Sequence, residues 1–305
     1  MTAAPAPAGV ERDFSLARLT TVRTGGCADF FARVGTSNEL AALLRWARER
    51  ELAVGLVGSG SNLLVADAGF RGLVMKLEGE LATIEREGER LLCGGGARLP
   101  QAAARAAREG LSGLEFGVNI PGTVGGAVRM NANAYGGDLS RVLEWVEVVS
   151  ADGSGRRAPE ELGFAYRRSG LESGEVVASA SFVLSPAEPD DVKRTLADMR
   201  SRRKAAQPSG IKTFGSTFKN PDDPRAEGRS AGVLLDAAGC RGLEVDGARF
   251  SDKHANFVEN TGEATTAAVI ALMAEGRRRV RERFGVELEP EVQLLGELDT
   301  GELYG

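Results

Sequence analysis

The fold of this chain is decided by one stretch near its amino terminus, LAVGLVGSGSNLLV at residues 52–65. The mostly apolar residues 52–57 predict a buried strand, and the glycine-rich residues 58–62 predict a tight turn after it. A strand that ends in glycines is typical of Rossmann dinucleotide binding, which requires G-x-G-x-x-G opening a helix. Here the third glycine is missing, and residues 63–65 are apolar and strand-like. The sequence therefore excludes a Rossmann unit.

The turn at 58–62 has two interpretations. Consecutive backbone N–H groups in a tight turn form a nest that binds an anion, and the hydroxyls of Ser59 and Ser61 offer further donors. The alternative is a simple connection between two strands. The turn by itself does not decide between them.

Outward from this stretch, helices and strands are predicted to intermix along the whole chain. A helix begins at Thr36, where Ser37 is the expected cap, and a second helix has Pro100 in its first turn and stops at Gly110. After a turn-rich break at 186–190, further helices are predicted at 192–206, from about 231, and at 265–284. Strands are expected at 72–77, 83–85, 90–93, 143–150 and 175–184, with strand-like pieces at 217–218 and 256–258. This mixture predicts an α+β chain of at least two domains.

Composition excludes several classes of function. Apolar residues make up 42% of the 305-residue chain, and the net charge of −5 is spread over interspersed acids and bases. Neither a nucleic-acid footprint nor membrane insertion is expected, since no run approaches the roughly 20 apolar residues of a spanning helix. The Ala- and Pro-rich residues 1–10 carry no signal-peptide pattern, so we expect a disordered tail and a cytoplasmic protein.

The counts of cysteine and histidine narrow the chemistry further. Cys27, Cys93 and Cys240 are widely spaced, which predicts free thiols that are mostly buried. His254 is the only histidine, which excludes a histidine-rich metal site and weakens any Ser-His-Asp hypothesis.

A second glycine-rich segment, NIPGTVGGA at 119–127, is followed by MNANAYG at 130–136. Gly122, Gly125 and Gly126 let backbone approach a ligand closely, while Thr123 and the asparagines offer neutral polar contacts to a flavin ring or pyrophosphate. A glycine-rich loop that packs on the core is the alternative.

Three shorter segments carry candidate chemistry, each with a plain structural alternative. In FAYRRS at 164–169, the arginines beside Tyr166 suit a carboxylate or phosphate, or form a solvated charge pair. In FGSTFKNP at 214–221, Ser216 is a candidate proton donor near Lys219 and Asn220, or caps a turn. In LEPEV at 288–292, an extended chain points both glutamates to one side, and a buried one would act as an acid.

Taken together over residues 19–296, these segments resemble the UDP-N-acetylenolpyruvoylglucosamine reductase (UDP-N-acetylmuramate dehydrogenase) family in order and spacing. The matching text is TTVRTGG at 20–26, GSGSNLL at 58–64, GLEF at 113–116, IPGTVGGA at 120–127, MN at 130–131, AYG at 134–136, YRxS at 166–169, GSTFKNP at 215–221, SxKHANF at 251–257 and LEPEV at 288–292. Each piece is weak alone, and the ordered set is highly specific.

The resemblance implies a fold and a domain division. It implies an FAD-binding region of the vanillyl-alcohol-oxidase (PCMH) type at 19–190, in two α/β subdomains at about 19–76 and 77–190. A C-terminal α/β substrate domain would follow at 191–296, with tails at 1–18 and 297–305. The short separation between Arg167 and Ser216 is similar to the subtype that lacks a substrate-capping loop.

The resemblance also implies cofactors and their binding residues. They are non-covalent FAD and NADPH as hydride donor, and FAD would be held at Gly58, Ser59, Gly60, Ser61, Asn62, Leu63, Asn119, Ile120, Pro121, Gly122, Thr123, Gly125, Gly126, Ala127, Asn131, Ala134, Tyr135 and Gly136.

For catalysis, the resemblance implies Arg167 as active-site arginine, Ser216 as proton donor and Glu291 as catalytic glutamate. The reaction would reduce UDP-N-acetylglucosamine enolpyruvate to UDP-N-acetylmuramate for peptidoglycan synthesis, by hydride transfer from flavin N5 to the CH₂ carbon. The expected contacts to this substrate are Tyr166, Arg167, Lys219, Asn220, His254 and Asn256. We expect a monomer with no nucleic-acid partner.

Two positions depart from the family's pattern. Asn133 stands where a glycine is usual, and Ala206 stands where many members carry a basic residue that contacts the substrate, with Lys204 or Lys212 as substitutes. One rival hypothesis is a flavin oxidase of the same superfamily; such enzymes often tether FAD through His or Cys, whereas His254 lies far from the flavin loops. The other is an inactive UDP-sugar-binding protein, against which the three catalytic residues argue.

Overall fold

The structure, a computed structural model, describes residues 6–304. Its helices are α1 (Ser37–Arg48), α2 (Leu99–Arg108), α3 (Val124–Arg129), α4 (Pro189–Ala206), α5 (Ala231–Ala237) and α6 (Thr266–Phe284). Short 3₁₀ turns lie at Leu16–Arg18, Gly79–Ala82, Glu115–Asn119, Leu139–Arg141, Pro159–Leu162, Pro224–Ala226 and Gly301–Tyr304. Within the described residues, every helix is too short or too polar to cross a membrane.

The strands alternate with these helices along the chain. They are β1 (Val10–Ser15), β2 (Cys27–Val34), β3 (Ala53–Leu56), β4 (Leu63–Val65), β5 (Phe70–Leu77), β6 (Ile84–Glu87), β7 (Arg90–Gly94), β8 (Leu111–Ser112), β9 (Asn133–Ala134), β10 (Gly137–Asp138), β11 (Leu143–Ser150), β12 (Gly153–Arg157), β13 (Val176–Val183), β14 (Ser185–Pro186), β15 (Glu244–Val245), β16 (Ala248–Phe250), β17 (Val258–Asn260) and β18 (Gln293–Leu295).

The chain divides into two compact units. The first contains 1–13, 29–59 and 71–203, of which residues 6 onward are described. It holds a four-stranded sheet in the order β1-β2-β5-β3 and a five-stranded antiparallel sheet in the order β12-β11-β13-β7-β6. Helix α1 contacts both β3 and β11, so it packs between the two sheets, while α2 and α3 contact β7 of the second sheet.

The second unit contains 14–28, 60–70 and 204–305. Its three-stranded sheet has the order β15-β16-β17, and β4 pairs in parallel with β18. Helices α5 and α6 contact each other, and α6 contacts β16. Phe214, Phe218, Phe250, Leu272 and Met273 are fully or almost fully buried in one core cluster of this unit.

The start of α1 shows how local sequence sets an element boundary. Thr36 caps the helix: its hydroxyl accepts from the Glu39 N–H at 3.2 Å, and Glu39 Oε2 accepts in return from the Thr36 N–H at 3.2 Å. This is a reciprocal capping box. Ser37, the cap expected from the sequence, is instead the first helical residue. In a capping box the carboxylate lies three residues after the cap. Glu39 has this spacing from Thr36 but not from Ser37.

The expectation of a disordered tail at 1–18 is wrong where the structure describes it. Residues 10–15 form β1, the edge strand beside β2, and Leu16 after it is fully buried. Near the other end, Leu303 is 2% exposed and belongs to the core of the second unit. Residues 1–5 lie outside the described residues. Chain ends are ordered when a strand or a helical turn ties them to a core.

The domain boundary also differs from the one expected at residue 190. Helix α4 stays with the first unit as far as Arg203, and the second unit takes 14–28 and 60–70 from the amino-terminal half. A division into consecutive segments cannot represent this, because strand β4 completes its pairing with β18, far away in the sequence.

The capping box gives a direct test of this part of the fold. Replacing Thr36 with alanine removes an N-cap acceptor, so we expect the free energy of unfolding to fall by about 1 kcal/mol. Ser37→Ala is the matched control and should change it by less than about 0.5 kcal/mol. Urea unfolding of the three proteins measures the difference, and equal effects at the two positions would contradict the assignment of the cap.

Candidate active site

The glycine-rich turn after β3 begins in the first unit, against the start of α3. A Cβ added to Gly58 would lie 2.6 Å from Thr123 Oγ1, so only a glycine permits this approach. Thr123 is the N-cap of α3 and accepts from the Gly126 N–H at 3.3 Å. The Ser59 hydroxyl is buried and has no hydrogen-bond partner within residues 6–304. Since buried polar atoms are nearly always paired, this hydroxyl is available to bind a ligand.

The rest of the turn belongs to the second unit. The Gly60 carbonyl accepts from the Thr21 N–H at 3.0 Å, and a Cβ at Gly60 would lie 1.9 Å from the Leu19 carbonyl oxygen. The Asn62 side chain donates to the Glu291 carbonyl at 3.2 Å, and its own carbonyl accepts from the Gln293 N–H at 3.1 Å. The turn is therefore fixed to the chain segment that carries Glu291.

The second glycine-rich segment lies entirely in the first unit, where it forms a 3₁₀ turn, α3 and a β-hairpin. The Asn119 side chain donates to the Met199 carbonyl at 2.8 Å and to the Tyr135 hydroxyl at 3.1 Å. The Gly125 N–H donates to the Gly95 carbonyl at 2.8 Å. The candidates Ile120, Pro121 and Gly122 precede the cap of α3, and Gly125, Gly126 and Ala127 lie in the helix.

The hairpin of β9 and β10 turns at two candidate residues. Tyr135 and Gly136 have φ values of 52° and 78°, as the two central residues of a type I′ turn require. Ala134 pairs with Gly137 across this hairpin, and the Tyr135 ring is 45% exposed. Nearby in sequence, Asn131 donates to the Ala165 carbonyl at 3.2 Å, and its Oδ1 is buried without a partner in the described part of the chain.

Arg167 lies at the tip of another tight turn. Ala165 and Arg168 exchange backbone hydrogen bonds of 3.0 and 3.1 Å, which leaves Tyr166 and Arg167 as the two central residues. Arg167 has φ 55°, a left-handed conformation that costs a side-chain-bearing residue on the order of 1 kcal/mol. The Tyr166 ring is 49% exposed and lies 5.1 Å from the Arg167 guanidinium carbon. Strained turns of this kind concentrate at functional sites.

Asn133 supplies a contact to Arg167 that the sequence did not predict. Its Oδ1 accepts a hydrogen bond of 3.0 Å from Arg167 Nη1, and Asn133 itself is paired with Asp138 in the hairpin. Asn133, at a position where a glycine was expected, therefore orients one nitrogen of the Arg167 guanidinium.

In the second unit, Ser216 and Glu291 lie on adjacent extended segments. Isolated antiparallel bridges join Ser216 to Phe257 on one edge and Phe218 to Pro290 on the other. The Glu291 N–H donates to the Thr217 carbonyl at 2.9 Å, and the Lys219 N–H donates to the Glu289 carbonyl at 2.8 Å. The segment 216–218 is thus the middle of three paired extended segments.

The two glutamates of LEPEV have different surroundings. Glu289 is exposed and forms an ion pair of 3.0 Å with Lys219, while Glu291 is half-buried. Asn220 is exposed, and its Oδ1 accepts from the Ala231 N–H at 3.2 Å at the start of α5.

The two remaining candidate substrate contacts, Asn256 and His254, form hydrogen bonds to backbone groups. The Asn256 side chain is buried and bonded to the Phe218 backbone, whereas the sequence predicted a contact to substrate. His254 Nδ1 accepts from the Asn256 N–H at 3.2 Å, and its ring packs edge-on against Phe257 with the ring centres 5.0 Å apart. Burial lowers the pKa of His254 below its usual value, and the Arg241 guanidinium acts in the same direction.

One residue of the first unit was missed by the sequence analysis. Arg203 donates to the Asn119 carbonyl, and the burial of its guanidinium lowers its pKa. Its only signal in the sequence is that it follows Met199 by one helical turn, within a basic run at 200–204 that otherwise indicates a solvated face.

The structure therefore groups the candidates in two sets. Arg167, Tyr166, Asn131, Tyr135 and Asn119 belong to the first unit, with Gly58, Ser59 and the residues around α3. The second unit holds Ser216, Glu291, Lys219, Asn220, His254 and Asn256, together with Gly60, Ser61, Asn62 and Leu63, which begins β4.

The three thiols agree with the sequence analysis. None of them forms a disulfide within residues 6–304; Cys93 and Cys240 are buried and Cys27 is partly exposed. Burial raises the pKa of Cys93 to about 12 and that of Cys240 to about 11, so neither is a reactive thiolate at neutral pH.

Comparisons with known proteins account for nearly the whole chain. A model of the FAD binding domain matches residues 28–158, and a model of the UDP-N-acetylenolpyruvoylglucosamine reductase C-terminal domain matches residues 207–295. The UDP-N-acetylenolpyruvoylglucosamine reductase of Anaeromyxobacter sp. (strain Fw109-5) is 45% identical over 296 residues, which cover 97% of this chain and 92% of that protein. Reductase 2 of Symbiobacterium thermophilum is 44% identical over 292 residues, covering 95% and 93%.

A solved structure shows the same relationship. The crystal structure of the UDP-N-acetylenolpyruvylglucosamine reductase from Thermus caldophilus matches with a TM-score of 0.81 and 39% identity, covering 94% of this chain and 98% of that one.

Fold and site together define a flavoprotein oxidoreductase with an FAD-binding region of the vanillyl-alcohol-oxidase (PCMH) type. The chain belongs to the UDP-N-acetylenolpyruvoylglucosamine reductase family, whose members act in peptidoglycan precursor synthesis. FAD is its cofactor, and NADPH is the reductant that this membership implies. The fold class and the cofactor expected from the sequence are confirmed.

The residues present suit a flavin dinucleotide. Within the first unit, Ser59 Oγ and Asn131 Oδ1 are buried polar atoms without partners in the described residues, which leaves a donor and an acceptor for a ligand. Gly58, the residue before Ser59, leaves the space in which the Thr123 side chain lies against the turn.

Gly58→Ala tests the turn as a flavin-binding element. The added Cβ must displace Thr123, so we expect the Kd for FAD to rise at least about 10-fold, equivalent to about 1.4 kcal/mol. Gly155→Ala is the control, because a Cβ there meets nothing within 4 Å. Flavin absorbance per folded chain measures both variants. Equal flavin content in the two would contradict a role for the turn in holding FAD.

His254 gives a prediction about pH. Since its pKa is lowered in the folded protein, the unfolded chain takes up the proton first as pH falls below about 6.5. The contribution of His254 to the free energy of unfolding is therefore fully present above about pH 6.5 and decreases below it. As the only histidine, its Hε1 resonance in a tag-free chain reports the titration directly. A midpoint at or above 6.5 would contradict the prediction.

Proposed function

We propose that the chain reduces UDP-N-acetylglucosamine enolpyruvate to UDP-N-acetylmuramate with NADPH, and that Ser216 supplies the proton. The observation that carries the proposal is the segment 216–218, which is paired on both edges and places Ser216 beside the segment of Glu291. Bound FAD would supply the redox chemistry, a hydride taken from NADPH and delivered from flavin N5 to the terminal CH₂ carbon of the enolpyruvyl ether.

The proton completes the reduction. Hydride addition turns the CH₂ into a methyl group and places negative charge on the adjacent carbon and its carboxylate. Ser216 Oγ donates its proton to that adjacent carbon, which forms the lactyl ether, and solvent then restores the hydroxyl. A serine is a weak acid, so it serves only a strongly basic, enolate-like partner held at a fixed distance.

Arg167 and Glu291 stabilise the developing charge. The Arg167 guanidinium pairs with the substrate carboxylate, and its direction is set by the strained turn and by the bond from Nη1 to Asn133. Glu291 acts as a protonated donor or through a bound water. A cation fixed before the reaction is more effective than one that must reorient during it.

The flavin and substrate contacts follow the two units. The turn at 58–63 would hold the pyrophosphate, and 119–127 with Asn131 and 134–136 would line the flavin. Tyr166, Lys219 and Asn220 are exposed enough to reach the UDP-sugar. With Ala206 in place of a basic residue, Lys204 or Lys212 would contact the diphosphate. We propose that the enzyme acts in the cytoplasm as a monomer.

Ser216→Ala separates the two half-reactions. NADPH should bleach the flavin of the variant at the wild-type rate, because this step does not use Ser216. Reoxidation of the reduced flavin by the enolpyruvyl substrate should be about 10²- to 10⁴-fold slower, the usual worth of a general acid. Stopped-flow absorbance of the flavin measures both steps.

Ser154→Ala, at an exposed serine of β12, is the control and should leave both half-reactions unchanged. Unchanged reoxidation in Ser216→Ala would remove Ser216 from the proton-donor role. Wild-type protein that is colourless, or whose reduced flavin is not reoxidised by this substrate, would overturn the proposed function.

A further inference from the structure

Asn256 uses every polar group it has to hold its neighbours in place. The residue is 4% exposed. Its backbone N–H donates to His254 Nδ1 at 3.2 Å, and its backbone carbonyl accepts from the Thr217 N–H at 2.8 Å. Its side chain accepts from the Phe218 N–H at 2.9 Å and donates to the Phe218 carbonyl at 2.8 Å. Its polar groups are thus bonded within the protein, although the sequence predicted a substrate contact.

The carboxamide of Asn256 acts in place of a peptide group in a neighbouring strand. It presents one acceptor and one donor to the N–H and C=O of the same residue, as a paired strand would. On the opposite edge, the flanking Glu291 N–H and Glu289 carbonyl bond to Thr217 and Lys219. Ser216, one residue before Thr217, is therefore attached to a backbone that is fixed from both sides.

No other small side chain reproduces this pairing. An aspartate of the same size accepts from an N–H, but when ionised it has no proton to donate to a carbonyl. It would leave the Phe218 carbonyl unpaired and turn a buried charge toward it, which raises the pKa of such a carboxyl group. Leucine would leave both groups of Phe218 unpaired.

We propose that Asn256 is the positioning residue for Ser216, so that its pairing with Phe218 sets the distance over which the proton is transferred. The inference rests on the proposed function and extends it to a residue that does not touch the reacting atoms. Displacement of a reacting group by about 1 Å costs on the order of 100-fold in rate, so loss of the pairing acts on catalysis without removing the donor.

Asn256→Asp tests the proposal through its dependence on pH. At pH 8 we expect flavin reduction by NADPH within about twofold of wild type and reoxidation by the enolpyruvyl substrate about 100-fold slower. As pH falls toward 5, the carboxyl takes up a proton and donates again to the Phe218 carbonyl. The ratio of wild-type to variant reoxidation rate should then shrink to about 10-fold or less.

The ratio is needed because other groups near Asn256 titrate in both proteins. These are His254 on its own turn, and Lys219, Glu289 and Glu291 on the paired segments. Dividing the wild-type rate by the variant rate at each pH removes their common contribution.

Asn260→Asp is the matched control. Asn260 is 6% exposed, donates to the Val22 carbonyl at 2.9 Å, and accepts from the N–H groups of Gly262 and Ala264 at 2.9 and 3.1 Å. The variant loses an equivalent buried donor, but the Asn260 side chain bonds to Val22, Gly262 and Ala264 and not to 216–218 within the described residues. We expect a comparable loss of stability and a ratio of reoxidation rates that does not change with pH.

Asn256→Gln is the second variant, because it keeps donor and acceptor and adds no charge. Its amide lies one methylene further from the backbone, so reoxidation should be about 10-fold slower than wild type at every pH. Amide hydrogen exchange at Phe218 should be faster in both Asn256 variants than in Asn260→Asp. This measurement reports the pairing independently of any reaction.

Three results would overturn the inference. They are a wild-type reoxidation rate in Asn256→Gln, a pH-independent ratio in Asn256→Asp, or Phe218 exchange that is the same in Asn256→Asp and Asn260→Asp. Each is distinct from failure of the proposed function, in which the wild-type protein does not reduce the enolpyruvyl substrate or Ser216→Ala does not slow reoxidation.

Discussion

The structure depends on backbone segments that approach one another more closely than any side chain allows. At Gly60 a Cβ would lie 1.9 Å from the carbonyl oxygen of Leu19, and at Gly95 it would lie 1.9 Å from that of Val177. In the second unit this contact ties the turn at Gly60 to the amino-terminal segment. In the first unit, the contact of Gly95 with Val177 brings the segment before α2 against β13, the central strand of its sheet. The Gly125 N–H of α3 donates to the Gly95 carbonyl at the same place. Glycine at both positions is therefore required by the approach of main chain to main chain.

Arg167 and Ser216, the cation and the proton donor of the proposed reaction, are held by opposite means. Arg167 is a left-handed residue at the tip of a two-residue turn, and its guanidinium donates a hydrogen bond to Asn133. Ser216 lies in relaxed extended chain and is steadied by pairing along both edges. The cation tolerates some mobility, because its attraction to a carboxylate falls off slowly with distance. Proton transfer from a hydroxyl does not tolerate such mobility, because it requires hydrogen-bond contact.

Much of the fold and the outline of the site could be predicted from the sequence, and the failures have physical reasons. The apolar patterns predicted α2, α4 and α6 and most of the larger strands, because the spacing of apolar residues follows the positions that each element buries. The strand β1 was missed, since its short pattern carries no sign of the partner that orders it. The discontinuous second unit was missed for the same reason: pairing between β4 and β18 is a property of two distant segments. The roles of Asn133, Arg203 and Asn256 depend on contacts with residues distant in the sequence, which no local pattern shows.

The pairing of β4 with β18 has a consequence for synthesis on the ribosome. Leu63 leaves the peptidyl-transferase centre well before its partner Gln293 exists, on the order of 10–50 s earlier at typical rates of translation. Most of the first unit is complete once Arg203 has emerged, whereas the second must keep residues 14–28 and 60–70 available until the carboxy-terminal segment arrives. During that interval the edge of β4 is a free template for other strands. The apolar residues of 14–28 and 60–70 are thus buried only after the last third of the chain has been synthesised.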